Sequence, residues 1–373
     1  EPCLIEAATG AGKSHIIASI AEWLNKASGK KVLCLAPSKE LVTQNHKKYL
    51  ATGNPASVFC ASVGKSLTHD VIFGSPQTVL NSIQKFGDNF SAVVIDEAHG
   101  ITPTVKKIIE EMRAKNKRLR VIGLTATPYR LGDGYIYKYD ENGDPVCNEQ
   151  AKDPYFNTLV YRITAPELID MGFLTSPHAE PVNAASYDTS SIVNHTAKEY
   201  EQAFEGQGRK TSLIIAEIVD ISQHRKGVMI FCATIQHAQE ALASLPQDNS
   251  RIVTGKTPNA ERKEIIEGFK RRQFKYLVNV SVLTTGFDAE HVDVVALLRA
   301  TDSVGLMQQI VGRGLRLCPG KDDCLVLDYA GNIENHCPDG DIFNPQIKAS
   351  YKSSESFDMD SICPDCGTKN VFK

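Results

Sequence analysis

Glu6–Ile17 reads EAATGAGKSHII: small residues and glycine lead to Gly-Lys-Ser, and an apolar run follows. Ala7 to Ser14 fits A-x-x-x-x-G-K-S, the phosphate-loop pattern with alanine in first position. A short apolar stretch, CLIEA, precedes it and a helical pattern follows, so the motif sits at a strand-to-helix junction. There the helix presents unsatisfied N–H groups and the positive end of its dipole, and the backbone of Gly10 to Ser14 can wrap an anion. The candidate nucleotide-binding set in this loop is Ala8, Thr9, Gly10, Ala11, Gly12, Lys13 and Ser14. Lys13 is expected to reach the β and γ phosphates and Ser14 to hold Mg²⁺. A plain glycine-rich helix start is the competing reading.

Asp96-Glu97-Ala98-His99 argues against that plain reading. Asp96 ends the apolar run SAVVID (91–96), and ligands of parallel sheets gather at the C-terminal ends of strands. Asp96 is expected to hold Mg²⁺, and Glu97 to orient and deprotonate the attacking water. Two adjacent acids could instead be a solvated helix start, but that reading requires no phosphate loop upstream.

At 373 residues the chain exceeds one ordinary core, and its 42% hydrophobic and 23% charged residues are those of a globular protein. No apolar run approaches the roughly 18 residues that would suggest a membrane span. The net charge of −3 leaves nucleic-acid binding to local patches. Cys34, Cys60 and Cys232 sit inside apolar runs, which suggests buried thiols in a reducing, cytoplasmic setting.

Apolar runs alternate with helical patterns. KVLCLA (31–36), VIFGS (71–75) and LRVIGL (119–124) look like buried strands, and Pro76–Phe86 and Thr104–Lys115 look helical. A second alternating block contains KGVMIFCAT (226–234), RIVTG (251–255), KYLVNVSVL (275–283), DVVALLR (293–299) and CLVLDYA (324–330). The expected fold is α/β, two tandem RecA-like parallel-sheet domains and a small C-terminal extension. The expected divisions are 1–172, 173–330 and 331–373. After the phosphate loop, Ile16, Ile20 and Trp23 or Leu24 are expected to form the buried stripe of a helix stopped by Gly29. The segment from about 129 to 165 is turn-rich and holds six of the twelve tyrosines. It reads as an accessory insertion or hairpin, with its aromatics packing on one another in preference to stacking bases. Residues 176–210 read as irregular. The basic runs KRLR (117–120) and KRRQFK (270–275) read as solvated helix ends.

Taken together, these motifs resemble the superfamily 2 DEAH-box helicase-like ATPases. APSKELVTQ (36–44), FGSPQTV (73–79) and TATPYR (125–130) resemble three motifs of the first domain, and MIFCAT (229–234), NVSVLTTGFD (279–288) and QQIVGRGLR (308–316) three of the second. GLTATPYRLG, KGVMIFCAT, YLVNVSVLTTGFD, QQIVGRGLRL-x-PGK and LDYAGN are similar more narrowly to the bacterial RadD group of DNA-repair ATPases. The resemblance implies ATP and Mg²⁺, with Gly286 and Asp288 beside the nucleotide. It implies nucleic-acid contacts from Pro37, Ser38, Lys39, Gly74, Ser75, Gln77, Thr234, Thr284 and Thr285. Thr125 and Thr127 read as couplers between the two sites. Single-stranded or branched DNA, single-stranded DNA-binding protein and recombination proteins are the implied partners.

Gln309, Arg313 and Arg316, at i, i+4 and i+7, would share one helix face in the second domain and meet the phosphates when the lobes close. Guanidinium charge there stabilises the transferring phosphoryl group. Cys363-Pro-Asp-Cys366 has the spacing of half a zinc knuckle, and Cys337, or Cys318 with Cys324, are possible further ligands. The motor of a restriction system and a non-hydrolysing ATP-dependent clamp remain alternatives to a DNA-repair helicase.

Overall fold

The computed structural model describes residues 1–147, 149–182, 186–193, 196–280, 282, 287 and 289–347, and the backbone of 360–362 and 369–371. In the first half, strands β1 (Cys3–Ala7), β2 (Lys31–Leu35), β3 (Ser57–Cys60), β4 (Gly64–Lys65), β5 (Val71–Gly74), β6 (Phe90–Asp96) and β7 (Arg120–Thr125) precede a small hairpin. That hairpin is β8 (Tyr129–Arg130) with β9 (Gly134–Tyr135), followed by β10 (Tyr137–Tyr139) and β11 (Phe156–Ile163). Nine of these form one sheet in the order β10-β11-β1-β7-β6-β2-β5-β3-β4, parallel except for β4. The second sheet holds β12 (Ser176–Ala179), β13 (Val228–Cys232), β14 (Ser250–Val253), β15 (Tyr276–Asn279), β16 (Val294–Leu298) and β17 (Asp323–Asp328). Its order is β12-β17-β16-β13-β15-β14, parallel throughout.

Continuous apolar strands need cover on both faces, and helices supply it. Every residue of β6, β13 and β16 is buried. Leu33, Ile72 and Val93 pack below the first sheet with Val105, Ile108 and Met112 of the helix Pro103–Lys115. Val32, Cys34 and Val94 pack above it with the helix Lys13–Ser28. The buried stripe of that helix is Ile17, Ala18, Ala21 and Leu24, whereas Trp23 is 63% exposed. Of the expected stripe, Leu24 is fully buried and Ile16 and Ile20 pack half-buried at its edge, while Trp23 faces solvent. Gly29 does end the helix, at φ 62°.

The segment from 129 to 165 is not a separate insertion. Its last strand, β11, pairs in parallel with β1, and β10 extends the same edge. Gly123 of β7 makes room for it, since a Cβ there would lie 2.5 Å from the Phe156 ring. Asn-Gly-Asp-Pro turns the chain over Asp140, whose Oδ1 accepts from the N–H groups of Asn142 and Asp144 at 2.9 Å each. The tyrosines pack on one another, Tyr135 and Tyr137 with ring centres 5.2 Å apart. Residues 176–210 are more regular than their polarity suggests: Ser176–Ala179 is an edge strand and Ala197–Phe204 a helix with a Thr196–Glu199 capping box. The chain passes between sheets through the helix Ala165–Asp170.

Candidate functional site

The β1 end and the helix Lys13–Ser28 are joined by a loop in which Gly10 and Gly12 adopt φ of 94° and 76°, a backbone region that side chains disfavour. No side chain caps the helix N-terminus. Thr9, Gly10, Gly12, Lys13 and Ser14 line a cleft of roughly 340 Å³ that opens to solvent between the sheets. Ala8 instead donates its N–H to Ile163 O at 3.1 Å, and Ala11 to Ala8 O at 3.0 Å, so these two brace the loop.

Asp96 and Glu97 close the cleft floor. Asp96 is buried, with Oδ2 accepting from Asn45 Nδ2 at 2.8 Å and Oδ1 from the Glu97 N–H at 2.9 Å. Burial first, then the neighbouring Glu97 charge, raises its carboxyl to about 6, against the opposing pull of Asn45 and Lys13. A cation in the cleft would favour the ionised form. Glu97 holds φ 50°, a strained value for a residue with a side chain, of the kind concentrated at functional sites. Its Oε2 is buried without a hydrogen-bond partner among the described residues; His99 Nδ1 lies 3.4 Å away but bonds Thr125 Oγ1 at 2.9 Å. Burial lowers the His99 imidazole pKa, against the opposing pull of the Glu97 charge. Thr125 Oγ1 also accepts from the Thr127 N–H at 3.1 Å, which links His99 beside the acidic floor to the TATPYR run. The oxygen donors Ser14 Oγ and the Asp96 carboxylate suit Mg²⁺.

The opposite wall is Gln309, Arg313 and Arg316, together with Phe173, Leu174 and Glu290. The three predicted residues do meet at the cleft, but not on one helix face. The helix Val304–Val311 ends at Gly312, and Arg316 lies in extended chain bridged to Leu174. The two glycines on either side of Arg313 are closely packed. A Cβ on Gly312 would stand 2.5 Å from Thr9 Cβ in the phosphate loop, and one on Gly314 would stand 2.1 Å from Cys324 Sγ. Arg313 and Arg316 each donate to Phe287 O, at 2.7 and 3.2 Å. Tyr129 bonds Gln308, so the lobes also meet outside the cleft.

Several residues read as nucleic-acid contacts have local partners. Ser38 and Thr234 are helix N-caps, accepting from Leu41 N at 3.2 Å and His237 N at 3.1 Å. Ser75 donates to Thr78 Oγ1 at 2.8 Å and exposed Gln77 to Asn81 Oδ1 at 2.8 Å. Gly74 is needed for packing, since a Cβ there would lie 2.8 Å from Val79 Cγ2. Pro37 precedes the Ser38 cap, and Lys39 lies 3.8 Å from Glu40 on the surface. Thr284, Thr285, Gly286, Asp288, Cys363 and Cys366 lie outside the described residues. Among the described residues no group of three or more His, Cys, Asp or Glu could hold a metal, and Cys324 and Cys337 are buried in the core. The Cys363–Cys366 half of the expected zinc site, which Cys318, Cys324 or Cys337 would complete, lies outside the described residues.

Asn45, which holds Asp96, and Leu174, which closes the wall, have no sequence signal that separates them from core residues. Gln44, the last residue of the APSKELVTQ run, donates to Ser14 Oγ at 3.3 Å. Lys321 has a sequence signal: the Pro319-Gly320 turn immediately before it.

The family profile "Type III restriction enzyme, res subunit" matches residues 1–130, and "Helicase conserved C-terminal domain" matches residues 209–318. Each matched region holds most of one of the two parallel sheets, and together they are similar to the two lobes of superfamily 2 helicase-like proteins. Among its relatives, a candidate mitochondrial ATP-dependent helicase, irc3 of Schizosaccharomyces pombe, is 26% identical over 88% of this chain and 54% of its own length. IRC3 of Saccharomyces cerevisiae is 28% identical over 70% of this chain and 37% of its own. The chain thus spans about half of those relatives or less. In structure it is similar to a fragment of a candidate HsdR subunit of a type I restriction enzyme from Vibrio vulnificus. That match has TM-score 0.65 and 22% identity, covering 94% of this chain and 62% of the other. A Type ISP restriction-modification enzyme, LlaBIII bound to DNA, matches with TM-score 0.61 and 17% identity over 88% of this chain and 26% of its own. Among the described residues no helix is long and apolar enough to cross a membrane.

Proposed function

We propose that this chain hydrolyses ATP in the cleft between its sheets and couples lobe closure to movement on DNA. The observation that carries the reading is one cleft lined from one side by Lys13, Ser14, Asp96 and Glu97 and from the other by Gln309, Arg313 and Arg316. The loop N–H groups and Lys13 would hold the phosphates, and Ser14 and Asp96 would hold Mg²⁺, which supplies charge neutralisation when bound. Glu97, its Oε2 buried and unsatisfied, would take the proton of the attacking water. Arg313 and Arg316 would stabilise charge on the transferring phosphoryl group. These groups come from different lobes, so hydrolysis requires closure.

DNA repair of the RadD kind is the finer reading, supported by the motif wording alone. A duplex translocase of restriction type is favoured by the profile of the first lobe and by the HsdR and LlaBIII likenesses. Steady-state phosphate release with single-stranded DNA, duplex DNA and RNA separates the readings, with Lys13→Ala as control. Stimulation by single strands supports the helicase reading and stimulation by duplex alone the translocase. No release above the Lys13→Ala level with any of them would leave only an ATP-dependent clamp.

A further inference from the structure

We propose that Lys321 is a positioning residue for the Arg313–Arg316 segment: its buried ammonium fixes the backbone that presents these guanidiniums to the terminal phosphates. The inference rests on the reading of the cleft given above. Lys321 is only 8% exposed, and its Nζ donates to the carbonyls of Gly314 and, at 2.7 Å, Arg316.

The local sequence sends the side chain there. Pro319 and Gly320 form the corner of a tight turn, Gly320 at φ 71°, closed by the Lys321 N–H to Cys318 O at 3.0 Å. Lys226 Nζ anchors the corner through the carbonyls of Pro319, at 3.0 Å, and Gly320. The chain therefore doubles back, and Lys321 reaches under the segment it has just left.

That segment needs an external hold. The helix stops at Val311, glycines flank Arg313, and glycine leaves a backbone weakly specified. From Gly314 to Arg316 the carbonyls are taken by other parts of the chain: Lys321 holds the first and third, and Thr175 N at 2.7 Å holds that of Leu315. Burial pulls the Lys321 ammonium below its usual pKa, against the opposing pull of Cys324, Asp293 and Cys318 and with a small further push from Arg316. A buried cation is costly, and an apolar side chain would fill the same volume at lower cost. An ammonium offers three donors from one point, which an apolar side chain cannot.

The test is a double-mutant cycle on the full chain, with ATP turnover measured on saturating single-stranded DNA or, if that does not stimulate, duplex DNA. Lys321→Met is expected to lower kcat about 10-fold or more while KM for ATP stays within about 2-fold, as misplacement of a charge-stabilising group requires. In an Arg316→Ala background the same change is expected to cost clearly less than in wild type, because part of its effect passes through that arginine. If Lys321→Met does not fold, Lys321→Gln, which keeps donors without charge, runs the same cycle. A kcat within about 2-fold of wild type, a KM that rises in step with the loss, or an undiminished cost in the Arg316→Ala background each overturns the role. An Arg316→Ala variant that itself turns over normally removes the cleft reading and this proposal with it.

Discussion

Gly10 and Leu174 meet across the cleft: a Cβ placed on Gly10 would lie 2.7 Å from Leu174 Cδ2. Gly10 also holds φ 94°, so two independent constraints exclude a side chain there. Gly10→Ala is expected to cost about 1–3 kcal/mol and most of the turnover, from backbone strain together with the clash. Adding Leu174→Ala relieves only the clash. Thermal unfolding and phosphate release should therefore stay impaired in the double variant, and full recovery would show that strain contributes nothing.

Gly312 tests lobe closure separately from loop geometry. It lies at φ −57°, which alanine accepts, but its Cβ would stand 2.5 Å from Thr9 Cβ in the other lobe. Gly312→Ala is expected to lower DNA-stimulated turnover about 10-fold or more while changing unfolding free energy by about 1 kcal/mol or less. A folded variant with unchanged turnover would mean that this contact is not made during the cycle.

Glu97→Gln keeps the shape and removes the base. Turnover is expected to fall by about 10²- to 10⁴-fold, with nucleotide affinity nearly unchanged in a fluorescent-nucleotide titration. A loss of less than about 3-fold would assign water activation elsewhere.

His237 gives the second lobe a pH dependence. It is fully buried; Nδ1 receives the Ala233 N–H at 3.4 Å, and Nε2 meets the Tyr187 hydroxyl at 2.9 Å. Burial lowers its pKa to about 4 from an unfolded value near 6.5. Between those values the unfolded chain binds the extra proton, so stability rises with pH there. It is fully present above about 6.5 and lost as pH falls toward about 4, by up to about 3 kcal/mol for this group. Urea unfolding across that window should show the slope, and His237→Gln should flatten it. An equal slope in the variant would place the proton elsewhere.

Local signals made much of this molecule readable. The Gly-Lys-Ser loop, the apolar runs of β6, β13 and β16, and Asp96 at a strand end are each stated by neighbouring residues, because strand burial and helix-terminus chemistry act over a few positions. Two parallel-sheet lobes followed from alternation alone. The turn-rich tyrosine segment was opaque because its strand β11 is made regular by pairing with β1, more than a hundred positions away in sequence.

The sequence by itself determined the phosphate loop, the acidic strand end and the arginine-bearing segment, since each is a contiguous run whose chemistry is local. Only the tertiary structure decided that the helix ends before Arg313, that Leu174 lies on Gly10, and that Asn45 and Lys321 donate to the Asp96 carboxylate and the Arg316 carbonyl. Those relations depend on close approach between distant segments. Steric exclusion and buried hydrogen bonding of that kind leave no periodicity along the chain.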